Sequence, residues 1–356
     1  MNFASDNAAG VAPAVLEAMG RAGGGYQLAY GNDRVTAALA AKFDSCFERE
    51  TAAYLVTTGT AANALALAQL SPPWGAVLCH HKAHIATSEA GAPEFFGGGL
   101  KLVLLPGEAG KISPGTLRSA LEDTEWGGPH HVTPSVLSLT QVTEAGTVYK
   151  PGEIRALADI AHRHGMAVHM DGARFANAVA TLGVSPAQAT WQCGVDVLSF
   201  GATKGGALAA EAVIFFDRER AAGMDERRKR GGHLVSKHRF VAAQFEAFLA
   251  DDLWLALARH ANGKARRLAD NLAAAGLAPV WPVEGNLVFV VLPKEVHARL
   301  KAAGAEYYAM RTAGLPNAGA VPVDAVLARL VTSFQTTDDE IDRFCAAAGA
   351  NWNAGR

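Results

Sequence analysis

Two linked segments decide the fold: Met166-Ala-Val-His-Met-Asp171-Gly-Ala-Arg174 and, after a helix-like stretch, Leu198-Ser-Phe-Gly-Ala-Thr203-Lys204-Gly-Gly206. The first is a short apolar strand whose far end carries an acid followed by glycine. The second continues a strand that begins at Val195 and ends in Gly201 and a Thr-Lys pair flanked by glycine. Ligands of open α/β sheets collect at the carboxyl ends of strands, so Asp171 and Lys204 both fall where a ligand lies. One parallel crossover fits between them and brings the two side chains together.

Pyridoxal 5'-phosphate (PLP) chemistry needs an acid and a lysine held in this way. The lysine amine forms a Schiff base, and the carboxylate keeps the pyridine nitrogen protonated so that the ring takes up electrons. Taken alone, the pair reads equally well as a strand-end acid and an unrelated surface lysine. The glycines around Lys204 and the flanking motifs shift the balance to the cofactor.

Working outward, the same strand–helix grammar recurs. Strand Ala52–Thr57 leads into Thr58-Gly-Thr-Ala-Ala-Asn63 and a helix over 64–70. A Gly/Thr turn opening a helix offers free N–H groups, a hydroxyl and the positive end of the helix dipole; alone it reads equally as an ordinary N-cap, but on this sheet it is the natural candidate for the cofactor phosphate. Strand Gly75–His80 precedes His81-Lys-Ala-His84, where the imidazole of His84 is placed to stack on a cofactor ring; Glu89 and Gly91-Ala-Pro93 follow. Strand Lys101–Leu105, a helix over 115–123 capped by Ser113, a loop over 124–134 and strand Ser135–Thr140 come next. That strand ends in a polar cluster, Gln141-Val-Thr-Glu144-Ala-Gly146, ahead of a helix over 153–164. Alternating strands and helices predict a mainly parallel sheet covered on both faces.

Upstream, Pro13 opens a helix, and a Gly-rich connection carries Tyr26 and Tyr30, either as plain linker or as a source of an aromatic hydroxyl for a site. Asp33 caps an amphipathic helix with Val35, Leu39, Phe43 and Phe47 on one face. Downstream, strand Glu211–Phe216 precedes the basic run Arg227-Arg-Lys-Arg-Gly-Gly-His233, a solvated face or a phosphate contact. A long helical stretch over 251–275 marks a change of domain, giving a large unit over 1–250 and a smaller α+β unit over 251–356. Thr337-Asp-Asp-Glu340 is a capping box for the last helix. Arg329 stands inside the apolar strand 326–334. A lone arginine there needs an anionic partner, and a substrate carboxylate is the sharper choice over water at a sheet edge.

With 356 residues, half of them hydrophobic and 19% charged, the chain suits a globular enzyme with a sizeable core. A net charge of −2 argues against nucleic acid or anionic lipid as a partner. The four scattered cysteines form no CxxC pair and suggest a reducing compartment without a zinc site. No signal peptide and no spanning apolar run is evident, so a cytoplasmic location is expected.

Together these motifs resemble the low-specificity L-threonine aldolases, PLP enzymes of fold type I, and especially their phenylserine aldolase branch. The resemblance rests on Phe3-Ala-Ser-Asp-Asn7, Ala29-Tyr-Gly-Asn-Asp33, Gly59-Thr-Ala-Ala-Asn63, Ala83-His84, Gly91-Ala-Pro-Glu-Phe-Phe96, Thr140-Gln-Val-Thr-Glu144, His169–Arg174 and Phe200–Lys204. It implies a large domain with a mainly parallel seven-stranded sheet. Lys204 would bind the cofactor covalently, Asp171 would pair with the pyridine nitrogen and His84 would stack on the ring. Gly59 and Thr60 would hold the phosphate, with Arg174 close to the ring. Ser5 and Arg329 would grip the substrate carboxylate, and Tyr30 would border the substrate pocket. Lys229 would reach a neighbouring subunit's cofactor in a homodimer or homotetramer. Where the better-known branch carries a second histidine, this chain reads Thr143-Glu144-Ala-Gly146, so Glu144 is the alternative base. The implied reaction cleaves L-threonine, L-allo-threonine or phenylserine to glycine and an aldehyde. An aminotransferase or β-eliminating lyase would use the same Asp and Lys, and a nucleic-acid binder would rest on residues 227–239 alone.

Overall fold

The structure is a computed structural model that describes residues 1–310, 321–322 and 324–349. Among the described residues, the strands are β1 (Ala52–Val56), β2 (Gly75–His80), β3 (Lys101–Leu105), β4 (Thr133–Thr140), β5 (Ala167–Gly172), β6 (Val197–Gly201), β7 (Glu211–Phe215), β8 (Leu287–Pro293), β9 (Tyr308–Met310) and β10 (Ala325–Val331). The first seven form one sheet in the order β1-β7-β6-β5-β4-β2-β3. Strands β2 to β6 run parallel to one another, and β7 is antiparallel to both β6 and β1. The fold is the expected fold type I arrangement. A second antiparallel sheet, β8-β10-β9, stands apart from it. The short β9 escapes sequence reading because its three residues are exposed and carry no alternation.

Strands β5, β6 and β7 are buried along their whole length, as near-continuous apolar runs demand. The period of two sorts their side chains. Val168 and Met170 of β5 enter the main core with Ile154, Leu157 and Phe200. His169 and Asp171 point to the opposite face. His169 is flanked there by Ser138 and Ser199 hydroxyls, each 2.9 Å from a ring nitrogen, and burial lowers its pKa to about 4, which keeps it neutral.

That face is covered by the helix Gly59–Leu70, buried at every position from Ala61 to Ala68. A helix apolar all round belongs inside a protein. Thr58 caps it by accepting the N–H of Ala61, so Gly59 and Thr60 form the first helical turn rather than the loop the sequence suggests. Asn63 is thereby carried one turn in, opposite Asp171.

The helix Arg34–Phe47 is capped by Asp33 as expected, and it buries Leu39, Phe43 and Phe47. A helix missed by sequence reading, Arg239–Leu249, supplies Phe245 and Phe248 to the same aromatic cluster. The long helix Leu253–Ala274 begins after Asp251 and Asp252, both in the left-handed region, which breaks the chain direction there. The Thr337 and Glu340 capping box forms as read. The start of the chain runs onto the second sheet: the Phe3 N–H donates to the Glu306 carbonyl, the Val331 N–H donates to the Phe3 carbonyl, and the Phe3 ring packs on Phe344. This threading fixes where residues 4–6 lie.

Candidate active site

The carboxyl edge of the large sheet gathers the polar side chains. Asp171 ends β5, and each of its oxygens accepts a hydrogen bond: Oδ1 from the Ala173 N–H at 3.0 Å and Oδ2 from Asn63 Nδ2 at 2.9 Å. The same Asn63 nitrogen donates to Glu89 Oε1 at 2.8 Å, and Glu89 Oε1 lies 2.7 Å from His84 Nδ1. His84 opens a one-turn helix, His84–Thr87, and its own N–H donates to Glu144 Oε1 at 2.9 Å. Four residues from three separate segments are thus joined to Asp171 by an unbroken chain of bonds.

Lys204 sits in a single turn, Thr203–Gly205, just past β6. Close approach holds that turn in place. A Cβ on Gly205 would lie 2.8 Å from the Phe248 ring, and one on Gly201 would lie 2.8 Å from Ala173 and 2.9 Å from Glu211 Oε2. Both positions need glycine because backbone and ring pass too near for any side chain.

The electrostatics follow from burial among like charges. Burial pushes the Glu144 carboxyl up to about 7, and the Asp171 charge adds to the effect. Glu211 is pushed up to about 7 by burial, against the pull of Lys204 and of the bonds from Thr203. Burial also raises Glu89, while the Glu89 hydrogen bond raises His84. A pocket this rich in acid calls for positive charge.

A second group faces it from the chain start and the small sheet. Arg174 makes a two-pronged pair with Asp6, Nε to Oδ2 at 2.7 Å and Nη2 to Oδ1 at 2.9 Å. Asn286 also donates to Asp6 Oδ2, at 3.0 Å. Burial alone would raise the Asp6 pKa, but Arg174 and Lys204 outweigh it and hold it low. Arg329 reaches the Ala4 carbonyl at 3.4 Å, and among the described residues no carboxylate is within ion-pair distance of it. Burial and the nearby Arg174 charge lower the Arg329 pKa to about 10. The Ser5 hydroxyl accepts the Asn7 N–H and caps the turn Asp6–Ala8.

Residues 2–295 match the family described as beta-eliminating lyase. A low specificity L-threonine aldolase of Pseudomonas aeruginosa is 45% identical over 308 residues, covering 86% of this chain and 88% of its own. Another from a Pseudomonas species is 42% identical with the same coverage. The solved threonine aldolase of Leishmania major superposes with a TM-score of 0.90 at 28% identity, covering 98% of both chains. The chain belongs to the low-specificity L-threonine aldolase family. It is a PLP-dependent carbon–carbon lyase, as the sequence resemblance implies.

For a member of this aldolase family, the residues present fit the cofactor. Asp171 is oriented by two donors and keeps lone pairs for a pyridinium hydrogen. The first turn of helix Gly59–Leu70 offers N–H groups and the Thr60 hydroxyl for a phosphate. Buried polar atoms without a partner among the described residues include Asn63 Oδ1, Glu89 Oε2 and Glu144 Oε2 on the string that reaches Asp171, and Asn286 Oδ1 beside Asp6. No helix among the described residues is long and apolar enough to cross a membrane.

Not every expected site residue joins this cluster. Tyr30 and Lys229 meet each other, with the ammonium 4.8 Å from the ring centroid, and Tyr30 is half exposed. Arg174 is engaged by Asp6. Two residues of the basic run are taken into the fold: Arg228 is buried over Tyr54 and pairs with Asp225, while Arg227 bonds Gln69. His233 beyond it contacts the Thr57 hydroxyl at 3.1 Å, beside the start of helix Gly59–Leu70. Sequence reading passed over Asp6, Asn63, Glu89, Glu211 and Asn286. A signal existed for Glu211, which heads an otherwise apolar strand just as Arg329 interrupts one.

Proposed function

We propose that this enzyme cleaves β-hydroxy-α-amino acids, with L-threonine, L-allo-threonine and phenylserine among them, to glycine and an aldehyde by a retro-aldol reaction. The observation that carries the reading is the alignment of Lys204 with Asp171 at one sheet edge, the acid locked by Asn63 and Ala173. Lys204 would hold PLP covalently, and Gly59 and Thr60 would seat its phosphate. PLP, when bound, supplies an electron sink that accepts the pair of the Cα–Cβ bond and returns it when Cα is protonated.

The protein's own groups do the rest. Arg329 and Ser5 fix the substrate carboxylate, which turns the Cα–Cβ bond to the angle cleavage requires; this is positioning catalysis. Arg329 suits the task because its charge is half-buried and has no acid within ion-pair distance among the described residues. His84 would stack on the cofactor ring and orient the β-hydroxyl. The Glu144 carboxylate, or a water it holds, takes the hydroxyl proton as the aldehyde forms, and Cα takes a proton back. Glu144 must be ionised to do so, and with its pKa near 7 it is ionised above neutrality. Tyr30 borders the substrate pocket, Arg174 stays near the ring through Asp6, and Lys229 serves a neighbouring subunit in a homodimer or homotetramer. We place the enzyme in the cytoplasm.

The test is product analysis on a panel of threonine, allo-threonine and phenylserine. Equimolar glycine and the matching aldehyde are expected. A second reading, β-elimination, is favoured by the name of the matching family; it would give a keto acid and ammonia from the same substrates.

A further inference from the structure

Glu89 is a buried acid for which the reaction above has no use. Its side chain has no solvent exposure, whereas His84 beside it is 48% exposed. An acid is placed this deep at a cost unless it is paired and bonded. Its partners are specific. Asn63 has two amide hydrogens on one nitrogen, and both are spent on carboxylates, one on Asp171 and one on Glu89. That fixes the amide orientation, because the carbonyl oxygen cannot face either acid. Glu89 Oε1 then has one close neighbour left, His84 Nδ1 at 2.7 Å, the length of a charge-assisted bond.

We propose that Glu89 is a positioning residue that keeps the His84 Nδ1 protonated, so that Nε2, on the open side of the ring, is the atom that titrates and meets the substrate β-oxygen. This rests on the aldolase reading for the identity of the substrate, but not for the state of the imidazole. A hydrogen bond to the other nitrogen is what sets the working nitrogen of a histidine. The charged groups that face His84 are Glu89, Asp171 and Lys204, with Glu144 at its backbone N–H; the Glu89 hydrogen bond first, and the Asp171 charge, raise its pKa above the ordinary value against burial and the Lys204 charge. In its protonated form Nε2–H donates to the β-oxygen and holds the hydroxyl proton toward Glu144. Asn63 ties this pair to Asp171, so the stacking imidazole and the cofactor's acid are set by one side chain.

The sign of the pH dependence follows. Glu144 must lose its proton, so kcat rises with pH through about 7. His84 must keep its Nε2 proton, so kcat falls as pH passes the raised histidine pKa. The product is a bell whose two limbs belong to different residues.

The experiment uses the holoenzyme with phenylserine. Glu89→Gln is expected to move the falling limb at least about one pH unit lower and to cost roughly 10- to 100-fold in kcat at the optimum, the range typical of an orienting partner. KM and the cofactor absorbance should hold. Glu144→Gln should instead remove the rising limb. An unshifted falling limb in Glu89→Gln would overturn the proposal, as a merely structural acid lowers kcat without moving it. Should Glu89→Gln not fold, 15N NMR of imidazole-labelled native holoenzyme decides, with the His84 signal identified by its loss in His84→Phe. A protonated Nδ1 and an Nε2 titrating above 6.5 are expected; a neutral ring protonated at Nε2 would overturn it. The NMR arm needs no turnover, so failure of the aldolase reading and failure of Glu89's role are read separately.

Discussion

The two sides of the site are built on opposite plans. On the large-sheet side, Asp171, Asn63, Glu89 and His84 form a closed string of hydrogen bonds between 2.7 and 2.9 Å, rich in acid. Where the chain start and the small sheet meet it, Arg174, just after β5, and Arg329 of β10 supply cations, one paired with Asp6 and the other held by a backbone carbonyl at 3.4 Å. The first side has its donors and acids already joined; the second keeps a half-buried cation without a carboxylate partner among the described residues. A rigid cradle for the cofactor and an unspent charge for the substrate would explain both. Preorganised dipoles serve catalysis because they need no rearrangement at the moment of reaction.

That contrast can be broken from either side. The largest effect is expected on the acid side. Asp171→Asn, saturated with PLP, should lose on the order of 10²-fold or more in kcat, as loss of one preorganised electrostatic group commonly does. Full activity would show that the Asn63-locked acid is ornamental. Glu144→Gln should lose roughly 10²–10⁴-fold on phenylserine, the general-base range, while His84→Phe keeps more activity because an aromatic ring still stacks. The reverse ranking would make His84 the base.

Effects on the cation side should be smaller and should appear in a different constant. Arg329→Leu is expected to raise KM for the amino acid about 10- to 100-fold, the value of a charge-assisted bond, with the absorbance of the bound cofactor unchanged. Loss of cofactor in that variant would move Arg329 to a structural role. The smallest shift is expected for Lys229→Ala, a weaker PLP affinity by several-fold, together with cofactor release when the protein is diluted to monomers. A fully active monomer would remove Lys229 from the site.

The same contrast governs what the sequence discloses. The acid side is legible because its residues end strands and open helices, positions with a local signature: Asp171 before glycine, Lys204 between glycines, Gly59-Thr60 at a helix start. The cation side is not. Asp6, Arg174, Asn286 and Arg329 meet only because Phe3 is threaded onto the small sheet and the chain is then pulled back to β5, and nothing local announces such meetings. Asn63 and Glu89 fall between the two. Both lie inside quoted motifs, yet their function depends on which way a buried helix turns, and moving the start of helix Gly59–Leu70 from Ala64 to Gly59 is what brings Asn63 to Asp171. Arg329 was visible for the opposite reason, as a charge in an apolar strand that burial energetics cannot leave unexplained.

Every role above turns on the lysine at the end of β6. The measurement that tests it most directly is borohydride reduction of the coloured holoenzyme, followed by mass mapping of its peptides. The reduced cofactor should be found on the peptide that contains Lys204, and Lys204→Ala should bind PLP without retaining it after reduction and should show no turnover. Cofactor fixed to any other lysine, Lys229 included, would contradict the assignment and the site built around it.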